Sequence, residues 1–125
     1  MDLAPDALVV LTIGRRAPQK GDRYLLDAWP QVVAGHPRAV LVLVGDGPLE
    51  AEVQAQAAAL GIAASVRFLG RVPQAARLLG LADIFVLPSI FEGLPYALLE
   101  AMALGRACLA SNIAGVREVL RAGET

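Results

Sequence analysis

Five short apolar runs, at 7–13, 39–45, 65–70, 83–89 and 106–111, punctuate the chain, and each predicts a buried strand. Between and after them, apolar residues recur at helical spacing. That pattern predicts helices over 22–33, 49–60, 74–81 and 95–104, and one that begins at 115 and runs to about 121. Continuous apolar strands that alternate with helices are typical of an α/β fold in which helices cover both faces of a parallel sheet.

Individual residues refine the predicted helix ends. Asp22 is predicted to be the N-cap of the first helix. Pro30 lies inside the same helical pattern, so we expect it to kink or split the helix. Gly61 and Gly105 are predicted to end the second and fourth helices.

The predicted helix 95–104 is apolar on every side, which indicates a buried helix. Apart from Tyr96, its only polar residue is Glu100. A buried carboxylate without a partner costs several kcal/mol. We therefore expect Glu100 either to face a ligand or to form a buried pair with Arg106 or Arg117.

Composition narrows the classes of partner. The 125 residues suit one domain, and 11 basic against 12 acidic residues give a net charge of −1, which favours neither nucleic acid nor an anionic membrane. The sequence contains no run of 18 apolar residues, so it predicts no membrane span. The single cysteine, Cys108, rules out a disulfide framework within the chain and indicates a reducing, cytoplasmic location.

The loop after the first strand is rich in cations. In open parallel sheets, ligands bind beyond the carboxyl ends of the strands. Here that loop carries Gly14, Arg15, Arg16, Lys20 and Arg23. Cations beside glycine-rich backbone suit a phosphate or diphosphate, and the alternative is a solvated surface loop.

The loop after the fourth strand leads into a helix that Pro95 is predicted to open. Unpaired backbone N–H groups at this end favour an anion, and the candidate donors are Gly93, Leu94, Tyr96 and Ala97. Glu92 would stand at the edge of that site, where a carboxylate suits sugar hydroxyls better than phosphate. The alternative is that Glu92 caps the helix.

Glu100 follows about one and a half turns beyond Pro95. Its two carboxylate oxygens match the two hydroxyls of a ribose, a recurring device in nucleotide-binding sheets. Other motifs fail: there is no P-loop, and Glu50 stands where a dinucleotide fingerprint requires its third glycine. No pattern of ligands predicts a metal or a cofactor.

Five segments, in order, resemble the C-terminal, donor-binding domain of GT-B glycosyltransferases, specifically the retaining group 1 called family 4. These segments are GRRAPQKG, HPRAVLVLVGDGPLE, VRFLGRVP, FVLPSIFEGLPYALLEAMALG and SNIAGVREVL. The most specific feature is the pair Glu92 and Glu100, separated by seven residues. The resemblance implies a Rossmann-like sheet that binds a nucleoside-diphosphate sugar.

The resemblance also implies residue roles. Arg15 and Lys20 would hold the donor diphosphate and stabilise the leaving group, and Glu92 would contact the transferred sugar. Glu100 would bind ribose. Backbone contacts to the donor would come from Gly14, Val72, Gly93, Leu94 and Tyr96. No metal is expected, and proline at position 95 replaces a glycine common in the family.

In this family the acceptor site lies on an N-terminal domain that is not in this chain. We also expect the donor domain to be incomplete at its C-terminal end. The chain alone would then bind donor weakly and transfer sugar negligibly. Two other functions stay open: a nucleotide-sugar 2-epimerase-like enzyme and a non-catalytic nucleotide-binding domain. Peripheral contact with the inner face of the membrane is compatible with the cytoplasmic location.

Overall fold

A computed structural model describes residues 3–119 and contains a five-stranded parallel sheet in the order β3-β2-β1-β4-β5. The strands are β1 (Leu8–Ile13), β2 (Ala39–Val44), β3 (Val66–Gly70), β4 (Ile84–Leu87) and β5 (Ala107–Ala110). All five predicted strands are confirmed, with bounds that shift by two residues at most. The strand order reverses at β1, so β1 and β4 flank the switch point where such sheets bind ligands.

Four α-helices connect or follow these strands: α1 (Asp22–Gly35), α2 (Glu50–Ala59), α3 (Tyr96–Ala103) and α4 (Ala114–Arg117). Three 3₁₀ segments complete the described elements: Pro18–Lys20, Ala63–Ser65 and Ala75–Leu81. The short helix predicted over 74–81 is confirmed, and it is the 3₁₀ segment Ala75–Leu81. The fifth predicted helix is confirmed in its first turn, and positions 120–121 lie outside the described residues.

Side chains alternate between two buried layers, one on each face of the sheet. On one face, strand residues pack with those of α1 and α2: Val10, Leu41, Leu43, Val86, Leu26, Trp29 and Val53. On the other face, they pack with the 3₁₀ segment 75–81, α3 and α4: Val9, Leu11, Val42, Phe85, Leu79, Leu98 and Val116. The prediction of helices on both faces is confirmed.

The start of α1 differs from its prediction. Gly21, with a left-handed φ of 70°, is the N-cap, and Asp22 is the first helical residue and is buried. The predicted capping role of Asp22 is wrong because its carboxylate pairs with Arg16 instead. Pro30 does not split α1, which runs on to Gly35. Trp29, 1% exposed, anchors the helix beside this proline.

The helix α3 is not buried all round, so that prediction is wrong. It buries Leu98 and Ala101, whereas Tyr96 is 69% exposed and Glu100 is also exposed. The reason is position: α3 packs against β4 and β5 at one side of the sheet, and nothing described covers its outer face. The cost of burying Glu100 therefore does not arise.

Exposed apolar side chains lie mainly near the β4–α3 connection and on β5. Ile90, Phe91 and Leu94 are exposed in the connection, and Leu109 is 64% exposed on edge strand β5. No helix within residues 3–119 has both the length and the apolar character needed to cross a membrane.

Candidate functional site

The loops that follow β1 and β4 form one continuous surface at the carboxyl edge of the sheet. Gly21 allows them to touch: a Cβ at this position would lie 2.0 Å from the carbonyl oxygen of Pro88. The backbone N–H of Ile90 donates to the carbonyl of Gln19 at 2.9 Å. Side chains from two distant parts of the sequence are thereby held side by side.

Lys20 and Glu92 meet directly across this junction. The Nζ of Lys20 lies 2.7 Å from Oε2 of Glu92, and the hydroxyl of Ser89 donates to the same oxygen at 2.7 Å. The side chains of Lys20 and Glu92 are 24% and 8% exposed, and Ser89 is fully buried. Sequence reasoning missed Ser89; its position three residues before Glu92, in the same turn, is the signal that could have identified it.

A cleft of about 230 Å³ opens at the carboxyl ends of β1, β2 and β3. Lys20 and Glu92 do not line it, but a Cβ at Gly14, which does, would lie 3.5 Å from Cδ of Lys20. Three predicted site residues line it: Gly14, Arg15 and Val72. The structure adds Arg71 and Asp46 to the walls, which the sequence analysis did not single out. Arg15 is exposed, so its charge is available to a ligand in the cleft.

The turn after β2 packs against the turn after β1 without room for side chains. Gly45 has a φ of 120°, and a Cβ there would lie 1.9 Å from the carbonyl oxygen of Gly14. A Cβ at Gly47 would lie 2.6 Å from the carbonyl oxygen of Arg16. These glycines do not form a dinucleotide-binding fingerprint, because its third glycine is missing. They do let two backbone turns pack together as one wall of the cleft.

Arg16 does not face the cleft, so its predicted role as a phosphate-binding cation is wrong. Its side chain is 1% exposed, its Nε lies 3.4 Å from Oδ2 of Asp22, and its Nη2 donates to the carbonyl of Gly14 at 2.9 Å. Burial lowers the pKa of Arg16 and raises the pKa of Asp22, because both charged forms lose water. Arg23 is exposed and its guanidinium carbon lies 5.3 Å from the centroid of the Tyr24 ring.

Backbone donors are available just before α3. Within residues 3–119, the N–H groups of Gly93 and Leu94 make no hydrogen bond. The N–H of Tyr96 donates to the carbonyl of Leu94 at 3.0 Å, so the prediction that it is free is wrong. Pro95 precedes the first helical residue and offers no N–H. The N–H of Ala97 likewise makes no hydrogen bond within residues 3–119, so three of the four predicted donors stay open.

Glu100 lies in the second turn of α3 with its side chain in solvent. In the described part of the chain it forms no ion pair, and the alternative of a buried pair with Arg106 or Arg117 is wrong. Arg106 donates to the carbonyl of Ala82, and Arg117 donates to Asn112. Glu100 is thus accessible to a ligand.

The first turn of α4 supports the Glu92 loop from behind. A Cβ at Gly115 would lie 2.3 Å from the carbonyl oxygen of Glu92 and 2.7 Å from that of Gly93. Sequence reasoning had no signal for this contact, which joins segments more than 20 residues apart. The backbone that carries Glu92 is therefore held from two sides, by Gln19 and by Gly115.

Other titratable groups lie away from this surface. His36 is exposed at the end of α1, and Cys108 is half-buried in β5, where burial raises the pKa of its thiol. Residues 3–119 contain no group of three His, Cys, Asp or Glu side chains that could hold a metal ion.

The chemistry of the site is that of an anion and polyol binder. Arg15 and Lys20 supply positive charge, Gly93 and Leu94 supply backbone donors, and Glu92 supplies a carboxylate among them. Together with the parallel sheet and its switch point, these groups define an α/β domain whose strand ends carry side chains and backbone donors suited to an anionic ligand.

Comparison with known proteins agrees with this class. Residues 7–125 match the family described as glycosyl transferases group 1, and the chain belongs to that family. It is 41% identical over 119 residues to a phosphatidyl-myo-inositol mannosyltransferase of Mycobacterium tuberculosis, covering 92% of this chain and 31% of that protein. It is 36% identical over 110 residues to the putative glycosyltransferase EpsF of Bacillus subtilis, covering 88% and 29%. The chain therefore spans about a third of the length of these relatives.

Solved structures share the fold. The chain is similar to Anabaena HepE, solved in complex with UDP and glucose, with 28% identity and a TM-score of 0.86 over 94% of this chain and 33% of that one. Its TM-score to TarM is 0.89 at 20% identity, over 98% of this chain and 26% of that one. The predicted fold class, a Rossmann-like α/β domain of the GT-B type, is confirmed.

Proposed function

We propose that this chain is the donor-binding part of a retaining, family 4 glycosyltransferase that moves a sugar from a nucleoside diphosphate to an acceptor. One observation carries the proposal: Lys20 and Glu92 meet at 2.7 Å at the β1–β4 switch point, at the same edge of the sheet as the cleft that Arg15 lines. Relatives support it, since one is a UDP-galactose-dependent galactosyltransferase of Escherichia coli and HepE was also solved with UDP-glucose.

Arg15 and Lys20 would bind the donor diphosphate. Departure of a nucleoside diphosphate builds negative charge on its phosphates, and fixed cations stabilise that charge more in the transition state than in the ground state. Without donor, Glu92 is the counter-charge of Lys20. A diphosphate carries more negative charge than one carboxylate and would compete for Lys20. These two cations would supply the stabilisation that a divalent metal gives elsewhere, so we propose no metal.

Glu92 would accept hydrogen bonds from hydroxyls of the transferred sugar. Ser89 and Lys20 both contact Oε2, which fixes the orientation of the carboxylate. The backbone N–H groups of Gly93 and Leu94 would meet the donor from the same loop. Glu100 would bind the ribose hydroxyls, and backbone near Val72 would contact the base.

The acceptor and its site would lie in an N-terminal domain of the complete enzyme, because the relatives are about three times as long as this chain. We therefore propose that the 125-residue chain transfers no measurable amount of sugar by itself. We also propose a cytoplasmic location. The alternative is a cytoplasmic protein in peripheral contact with the inner face of the membrane.

Binding to the isolated chain provides the direct test. UDP, GDP and ADP would be titrated separately into the ¹⁵N-labelled chain, with Glu100→Ala as the site variant. Glu52→Ala is the matched control, because Glu52 is also an exposed helical glutamate but lies on α2. We expect one nucleotide to bind, and Glu100→Ala to raise its Kd about tenfold, the effect of losing a charged hydrogen bond of ~1.5 kcal/mol. Equal Kd values for the two variants would contradict the ribose role.

A second test uses the fact that Lys20 is the only lysine of the chain. Its side chain is partly exposed, so an amine-acylating reagent can reach it. We expect the bound nucleotide to slow acylation of Lys20 and to leave acylation of the N-terminal amine unchanged. Equal protection of both amines, or of neither, would remove Lys20 from the diphosphate site.

A further inference from the structure

A buried ion pair stands directly behind the cleft. Arg16 and Asp22 have side chains that are 1% and 2% exposed, with Nε and Oδ2 3.4 Å apart. Neither carboxylate oxygen of Asp22 makes a hydrogen bond in the described structure, nor do Nε and Nη1 of Arg16. Such a pair gives the fold little net stability, since the loss of water offsets the attraction of the charges. The role of the pair is therefore better sought in the backbone segments that it holds in place.

Arg16 joins the turn after β1 to β2 and to the turn after it. Its Nη2 donates to the carbonyl of Gly14 at 2.9 Å and lies 3.4 Å from that of Val44. Its backbone N–H donates to Asp46, and its carbonyl accepts from the N–H of Leu49, both at 2.9 Å. Gly14 directly follows β1, Val44 ends β2, and Asp46 and Leu49 lie in the β2–α2 connection. One side chain and its backbone thus fix the wall of the cleft.

Asp22 connects this wall to the core. It is the first residue of α1, where the helix dipole favours a negative charge. Deeper in α1, Leu26 and Trp29 are 0% and 1% exposed in the core. The carboxylate of Asp22 therefore holds a fixed position, and the guanidinium of Arg16 is held beside it.

We propose that Arg16 and Asp22 are positioning residues, which hold the Gly14–Arg15 turn so that Arg15 lines the cleft in the orientation that a diphosphate requires. This inference rests on the proposed function for its ligand. Arg15 follows Gly14 directly, so a shift of the Gly14 carbonyl moves the backbone of Arg15 with it. Arg15 is the residue that would touch the donor, and Arg16 would act through it.

The test compares single and double replacements in the 125-residue chain. Asp22→Asn removes the counter-charge and Arg16→Met removes the guanidinium; both single variants leave a buried polar group without its partner. The double variant Arg16→Met with Asp22→Leu replaces the pair by apolar side chains of similar size. Such replacement of a buried pair is often neutral or stabilising. We therefore expect the double variant to fold at least as stably as the parent chain but to lack the hydrogen bond to Gly14.

The double variant separates positioning from stability. We expect its Kd for the nucleotide that the chain binds to rise at least tenfold, although its urea midpoint is unchanged or higher. We also expect the amides of Gly14 and Arg16 to exchange with solvent at least tenfold faster. A stable double variant with parental exchange rates at these two amides would overturn the proposal.

The exchange readout needs no ligand, so the proposal and the proposed function can fail separately. Lack of nucleotide binding by the parent chain would count against the proposed function only. In that case faster exchange at Gly14 and Arg16, together with unchanged exchange at Leu41 in the core of β2, supports the positioning role. If the double variant fails to fold, Asp22→Asn gives the same exchange comparison, and parental rates there overturn the proposal.

Discussion

Replacement of Gly115 by alanine tests whether the backbone of Glu92 is held as rigidly as the structure indicates. Gly115 lies inside α4, where alanine in place of glycine would ordinarily stabilise a chain by about 0.4–1 kcal/mol. The new Cβ would lie 2.3 Å from the carbonyl oxygen of Glu92, about 1 Å inside ordinary contact at 3.4 Å. The contact is with backbone, so no flexible side-chain end can move away.

The structure allows two outcomes for Gly115→Ala, and both are measurable. If the Glu92 loop stays in place, overpacking costs about 1–3 kcal/mol and outweighs the gain in helix propensity. If the loop yields by about 1 Å, the 2.7 Å contact between Lys20 and Glu92 lengthens beyond a good hydrogen bond. We expect a lower free energy of unfolding, or shifted amide resonances of Glu92 and Gly93, or both.

Gly35→Ala is the matched control for this variant. Gly35 is also helical, and a Cβ there would have nothing within 4 Å. We expect Gly35→Ala to be neutral or stabilising by up to about 1 kcal/mol. Urea unfolding of both variants, with ¹H–¹⁵N spectra of each, gives the comparison. If Gly115→Ala matched Gly35→Ala in stability and left the Glu92 and Gly93 resonances in place, the tight contact would be refuted.

Three further predictions concern other parts of the fold. Burial raises the pKa of Asp22 above its ordinary 3.8. The negative charge of Glu50 raises it further, whereas the positive charges of Arg16 and Lys20 oppose the rise. The folded chain therefore binds this proton more tightly than the unfolded chain does. The free energy of unfolding of the parent chain minus that of Asp22→Asn should then fall as pH rises through this pKa, and a rise would contradict the shift. Ser65→Ala should cost about 1–3 kcal/mol in urea, followed by Trp29 fluorescence, because the buried indole N–H donates to Ser65 at 3.0 Å; an unchanged midpoint would argue against that bond. Gly45→Ala should cost about 3 kcal/mol or more in the same assay, since its Cβ would lie 1.9 Å from a carbonyl oxygen, and a cost below about 1 kcal/mol would show that the two turns can separate.

The strands could be predicted closely from the sequence, because a parallel strand buried on both faces is a continuous apolar run. The run 39–45, for example, became β2 at Ala39–Val44. The burial of helices was less predictable. Apolar composition indicated a fully buried α3, yet composition does not say that this helix lies at the side of the sheet with Tyr96 in solvent. The short helix predicted over 74–81 is present as the 3₁₀ segment Ala75–Leu81.

In the candidate site, too, some features could be predicted from the sequence and others could not. The charges of Lys20 and Glu92 marked their loops in the sequence, and the topology explains why the loops meet. Arg16 looked like a second exposed cation because nothing in a run of two arginines says which one turns inward. Its buried position depends on Asp22 and on the carbonyl of Gly14, contacts that exist only in the folded chain.

The pairing of β1 with β4 has a consequence for the order of folding. β1 pairs with β2 at a separation of about 30 residues, but its pairing with β4, and the bond between Val9 and Asp83, spans 74 residues. Long-range pairings are slow to form, because loop closure must be completed before the contact stabilises the chain. Lys20 and Glu92 are 72 residues apart and meet only when β4 joins β1. A partly folded chain in which only β1, β2 and β3 have paired would have Arg15 and Lys20 in place but not Glu92. Nucleotide binding during refolding should therefore report on the pairing of β4 with β1.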